Sequence, residues 1–213
     1  PLVRRSGAEA GGFPSLVSPV YRRLPGATAP AAATVEEVHA ELLRRAGPFD
    51  LHFDLSEGGP LRGLAGSWLL RAGRAVAGCS AWSGRGVLAE VVERLPWRLR
   101  VVRGALRRFP LARRPGPRIP ADGAALRYWY LFDSFAESPE AGRALLRAVA
   151  AEALDHGIDY CYLVHGGGEA WVSAARQDVP RPFAPVVPYR LFVNVPQGAP
   201  PRIARVCADV RDL

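Results

Sequence analysis

No lysine and no methionine occur in this chain, and Asn194 is its one asparagine. Every one of its 28 basic side chains is therefore an arginine, the mark of a base-composition bias, so the number of arginines by itself argues little. Cysteine is sparse too: Cys79, Cys161 and Cys207 lie far apart, and an odd count leaves at least one unpaired. That excludes a complete disulfide framework and gives no metal site with ligands at short spacing. A reducing, cytoplasmic setting is expected. No apolar run is long enough to span a bilayer, so no transmembrane segment is expected, and Pro1 opens no recognisable signal peptide. With not even an initiator methionine, the chain is expected to be a trimmed product or the C-terminal part of something longer.

Among the 213 residues, 49% are hydrophobic, enough for one good core. The net charge of +8 has a local origin. Residues 94–118 hold nine arginines and no acid, leaving 19 arginines against 20 acids elsewhere. The positive field is a patch whose position matters more than the isoelectric point.

The stretch 124–166 organises the rest. Residues 124–132 (AALRYWYLF) are apolar and aromatic throughout, as in a strand buried on both faces. Ser138-Pro139-Glu140 then supplies an N-cap, a first-turn proline and a first-turn acid. Leu145, Val149 and Ala153 form a helical apolar stripe, and Gly157 follows His156 as a stop. Residues 158–164 repeat the strand signature, with Tyr160 and Tyr162 on one face and Cys161 and Leu163 on the other. The loop between strand and helix is the candidate ligand site.

Taken in order, residues 1–33 read as an irregular arm or the remnant of an upstream domain, with Phe13, Leu16, Val17, Val20 and Tyr21 as their apolar cluster. Thr34 followed by Glu37 predicts a capping box, with Val35, Val38, Leu42 and Leu43 turned inward and Gly47-Pro48 as the stop. Residues 49–55 alternate as a short strand or extended connection would, and His39 and His52 read as surface or satisfied histidines. Residues 67–83 predict a hairpin turning at Ala72-Gly73-Arg74, with Gly78 marking a bulge or a close backbone approach. Residues 87–92 extend that second arm or begin the next helix.

In the basic segment, Leu95, Leu99, Val102, Leu106 and Phe109 recur at helical spacing, with Arg94, Arg98, Arg103 and Arg107 mostly on other faces. Pro110, Pro115, Pro117 and Pro120 end that helix. It is either an ordinary surface helix covered by arginine stems or a docking patch for phosphates, anionic lipid or an acidic partner protein. Nucleic acid ranks last, because only Trp97 and Phe109 are available for base stacking. Residues 169–176 predict a short helix with Trp171 and Ala175 inward, 180–188 a proline-rich loop, 189–195 a last strand, and 196–213 a loose tail.

The order helix, hairpin, long strand, loop, helix, strand, short helix, strand resembles the Gcn5-related N-acetyltransferase fold over residues 34–195, with 94–120 as a basic insertion. Gly142-Arg143-Ala144-Leu145-Leu146 is the sharpest local match, similar to the start of that family's central helix. The resemblance implies an α+β fold with a central, mixed and mostly antiparallel sheet flanked by helices. It also implies acetyl-CoA or another acyl-CoA as cofactor, an amine as acceptor and no metal. The cofactor's pyrophosphate would lie on backbone amides near Phe132, Ser134, Phe135, Ala136, Glu137, Ala141, Gly142 and Arg143. Phe132 and Phe135 would flank the acyl-thioester. Asp133 or Glu137, at the end of the central strand, would be the base, and Tyr189 a substitute for the tyrosine acid that the short helix lacks.

Aligned on Gly142, Glu137 stands where the family's signature has Arg or Gln, and Glu140 where it has its first Gly. Two carboxylates facing a pyrophosphate would repel it. Three readings follow: an acyl-CoA-dependent N-acyltransferase whose arginine patch meets the 3′-phosphate of CoA or an acidic carrier protein, a catalytically degenerate binding or scaffolding domain, and a binder of anionic surfaces through residues 94–109.

Overall fold

Around the aromatic strand Tyr128–Ala136 (β5), the fifth in chain order, one sheet is built. The computed structural model describes residues 8–20, 23–27, 29–46, 63–83, 91–108, 118–164, 170–175, 177 and 186–193. The other strands are Ala8–Pro19 (β1), Ala31–Ala32 (β2), Leu64–Ala72 (β3), Ala75–Trp82 (β4), Tyr160–Val164 (β6) and Val186–Val193 (β7). The helices are Val35–Ala46 (α1), Trp97–Arg108 (α2), Pro139–Asp155 (α3) and Ala170–Ala175 (α4). The sheet order is β2-β3-β4-β5-β6-β1-β7. Among the described strands only β5 and β6 run parallel, from Tyr128↔Tyr160 to Leu131↔Leu163, and the other pairs are antiparallel. The molecule is thus α+β, with a mixed and mostly antiparallel sheet flanked by helices.

Alternation along β5 divides the core in two. Trp129 and Leu131 face α3 and α4 with Cys79, Cys161, Leu163, Leu145, Val149 and Trp171. Tyr128, Tyr130 and Phe132 face the other way with Val35 of α1, and Phe135 packs on Val38 and Leu42 of the same helix. Tyr160 and Tyr162 lie on the α1 face and Cys161 and Leu163 on the α3 face, as their alternation in sequence predicts.

The helix signals hold in detail. Thr34 Oγ1 accepts from the Glu37 amide at 3.2 Å while Glu37 Oε2 accepts from the Thr34 amide at 2.7 Å, the reciprocal capping box. Ser138 Oγ accepts from the Ala141 amide at 3.1 Å to start α3 behind Pro139, a cap worth about 1 kcal/mol.

Residues 8–19 depart from the expected irregular arm. They form β1 between β6 and β7, with Leu16 opposite Leu163 on one side and Val186 on the other. Gly11, Gly12, Pro14 and Pro19 weaken local strand preference, but two flanking strands supply the pairing that the segment itself does not favour. Pro14 lies opposite Pro188, so the missing donors meet at one rung, and the β6 ladder begins one residue later at Ser15. Pro188, read as a loop residue, is within β7 for this reason. The long strand also begins later than expected, at Tyr128. The expected strand over 49–55 and the tail over 196–213 lie outside the described residues, as do His52, Cys207 and most of 87–92.

Candidate functional site

At one end the parallel pair is pinned. Arg127, just before β5, donates from Nε and Nη2 to the two carboxylate oxygens of Asp159 at 3.0 and 2.9 Å. The Asp159 amide donates to the Arg127 carbonyl at 2.8 Å. The bidentate bond holds the Arg127 guanidinium's pKa above its ordinary value. At the other end β5 and β6 stop pairing after Leu131↔Leu163, while β5 continues to Ala136, and no further rung joins them among the described residues.

Where the pairing ends, β5 bulges. Gly78 of β4 faces Phe135 and Ser80 faces Phe132, so three steps along β5 match two along β4. Asp133 takes the distortion with a φ of 49°, a left-handed conformation that Asp tolerates better than most residues. Of the bulge or close backbone approach expected at Gly78, the register shift beside it is the bulge; a Cβ there would sit 2.7 Å from the Phe135 ring and 2.8 Å from Leu69 Cδ2, so the near neighbours are side chains and not backbone.

Asp133 is 2% exposed and does not stand alone: its Oδ2 lies 3.0 Å from Nδ1 of His39, itself 7% exposed on α1. With the carboxylate ionised it only accepts, so Nδ1 carries the proton and the ring is held in one tautomer. The satisfied histidine expected at position 39 is therefore a buried His–Asp pair, 94 residues apart in sequence. No local signal predicts it.

The remaining candidates divide between the two faces. Phe132 and Phe135 are buried on the α1 side, with the Arg45 guanidinium 5.5 Å above the Phe135 ring. Ser134 Oγ donates to the Phe132 carbonyl at 3.4 Å, and Ala136 pairs with Ala77. Ala141, Gly142 and Arg143 lie on α3, where Gly142 abuts Trp171: a Cβ there would come within 2.7 Å of the indole. Arg143 lines an apolar cleft of about 480 Å³, open mouth included, whose other walls include Leu16, Arg147, Leu163 and Ala175. Tyr189 sits opposite Phe13 on β7, three strand spacings or about 14 Å from β5, so its backbone is not brought to Asp133.

Glu137 has its carboxylate engaged by α1 and β4. Its Oε1 accepts from Arg45 Nε at 2.7 Å and its Oε2 from the Val76 amide at 2.7 Å, while its own amide donates to the Val76 carbonyl at 3.0 Å. The Val76 bond first, and then Arg45, hold the Glu137 carboxyl below its ordinary pKa. The Glu137 charge is thus paired with Arg45, and Glu140 is the exposed acid in the first turn of α3. The amides near the helix start are largely engaged. Glu137 donates to Val76, Ala141 to Ser138 Oγ and Gly142 to the Ser138 carbonyl, and Pro139 has none.

Among the described residues no cluster of His, Cys, Asp and Glu has the makings of a metal site. No helix among them is long and apolar enough to cross a membrane. No family model matches the chain, and no curated protein matches it.

Proposed function

We propose that this domain is of the Gcn5-related N-acetyltransferase type and moves an acyl group from acyl-CoA to an amine. The observation that carries the reading is the end of the parallel strand pair at Leu131↔Leu163, beside the bulge at Asp133 and directly before the capped start of α3. An extended arm bearing amides, such as the pantetheine of CoA, pairs with strand backbone as a peptide does, and this is where such an arm would enter. The amine would attack the thioester carbonyl carbon, the tetrahedral intermediate would expel the CoA thiolate, and the amine's proton would pass to the His39–Asp133 pair. Histidine oriented by a buried carboxylate is suited to that role.

A second reading is favoured by the engaged amides of Glu137, Ala141 and Gly142, which leave little of a pyrophosphate cradle: a degenerate domain of the same fold that binds or scaffolds without turnover. Titration calorimetry with acetyl-CoA and longer acyl-CoAs separates the two. Saturable heat with a raised unfolding temperature supports the transferase. No heat and no thermal shift at millimolar ligand would sink it.

A further inference from the structure

Helix α2 stands out from the rest of the molecule. No residue in it whose side chain is described is buried, and Trp97 and Val101 are 65% and 61% exposed. Of six large apolar side chains exposed among the described residues, four (Trp97, Leu99, Val101 and Val102) are on this one helix. An apolar surface concentrated in this way marks an interaction site, whereas scattered ones need no explanation. Among the described residues the helix is tied to its approach: the Leu95 amide donates to Asp122 Oδ1 at 2.8 Å, and Arg100 Nε turns back to the Leu95 carbonyl at 3.0 Å.

At 100° per residue, Trp97, Val101, Ala105 and Val102 fall on one arc, while Arg100 and Arg103 lie on the other side. Arg98 and Arg108 fall within the apolar arc, and the Arg98 guanidinium lies over the Trp97 indole, 5.5 Å from the ring centroid. Such a pair keeps a cation beside an amphipathic ring, the combination that suits the boundary between headgroups and acyl chains. Nine arginines and no acid fill residues 94–118, so the entire positive excess of the chain lies in the sequence stretch that contains this helix.

We propose that α2 is an interfacial helix that lies in the plane of an anionic lipid bilayer, with Trp97, Val101 and Val102 entering the acyl boundary and the arginines meeting lipid phosphates. Charge complementarity selects the occupant: a neutral apolar partner gives no use to the arginines, and an acidic protein gives none to the exposed arc. Surface binding of this kind needs no spanning helix, and it holds whether or not the domain transfers acyl groups.

Co-sedimentation tests it. The wild-type chain is expected to bind phosphatidylglycerol/phosphatidylcholine vesicles, not pure phosphatidylcholine vesicles, with affinity falling steeply as salt rises. Combining Arg98→Gln, Arg103→Gln and Arg108→Gln lowers the partition coefficient roughly 100-fold. Combining Trp97→Ser with Val101→Ser lowers it about tenfold or more. Both variants should keep the wild-type unfolding temperature, because the replaced side chains are not buried. Undiminished vesicle binding by either variant overturns the proposal. So does binding to soluble polyglutamate as tight as to the vesicles, which would assign the patch to an acidic protein. The wild-type comparison of anionic with neutral vesicles stands even if a variant fails to fold.

Discussion

His39 Nδ1 meets Asp133 Oδ2 at 3.0 Å across the gap between α1 and the bulge of β5. Breaking a buried ion pair by removing one partner costs about 3–5 kcal/mol where the group left behind is charged. His39→Ala is expected to lower unfolding free energy by about 3 kcal/mol, read by chemical denaturation. Asp133→Asn keeps a hydrogen-bonding group and a residue that accepts positive φ, whereas Asp133→Ala also bears about 1 kcal/mol of left-handed backbone strain. The expected order of stability is wild type, then Asn, then Ala. Equal stability of the Asn and Ala variants would show that neither the pair nor the backbone conformation matters there.

Gly142 and Trp171 make a different kind of contact. A Cβ on Gly142 would lie 2.7 Å from Trp171 Cε3 and 3.0 Å from Trp171 Cβ, so the obstacle includes the base of the side chain as well as its ring. Gly142→Ala is expected to destabilise by about 1–3 kcal/mol through overpacking between α3 and α4. Trp171→Leu should relieve part of that, giving a double-mutant coupling of about 1 kcal/mol. Additive effects would mean that the glycine serves ligand approach and not helix packing.

The central unit was legible because its signals are local: an uninterrupted aromatic run for β5, Ser138-Pro139 for the start of α3, and alternating tyrosines for the faces of β6. Gly78 was legible as the place of a bulge, though not that its near neighbours are the Phe135 and Leu69 side chains and not backbone. The His39–Asp133 pair was not, because pairing across 94 residues leaves no trace in spacing. Nor was β1, whose glycines and prolines read as breakers while its strand state comes from β6 and β7. Glu137 falls between β5 and α3 as its sequence position indicates, but which way its carboxylate turns depends on Arg45 and Val76, neither a sequence neighbour.

That carboxylate makes a small, solvent-screened contribution to the acid dependence of stability. The Val76 amide and Arg45 lower the pKa of Glu137 in the folded state below its ordinary value of 4.5. Its contribution to stability is therefore fully present above the unfolded value and is lost as pH falls through the folded one. Glu137→Gln should flatten the acid side of the curve of unfolding midpoint against pH, with no change in shape above neutrality. A variant whose acid limb parallels that of the wild type would mean that the carboxylate is not held as described.

Cys79 and Cys161 are free thiols, both buried, on strands either side of β5. Burial pushes the Cys79 thiol pKa up, and that of Cys161 up to about 12. Thiolate, not thiol, attacks a disulfide reagent, so at pH 8 the reactive fraction of Cys161 is on the order of one in ten thousand even before access is considered. In a Cys207→Ser background, no reaction with Ellman's reagent is expected from the folded chain over minutes, and both thiols should react once guanidinium unfolds it. The same shift ties stability to alkali. Cys161 begins to lose its proton near 9 when unfolded but only near 12 when folded, so its contribution is complete below 9 and fades as pH climbs towards 12. Cys161→Ala should remove part of that alkaline loss. Prompt labelling of the native chain at pH 8 would show that the β4–β5–β6 layer opens far more readily than its packing implies.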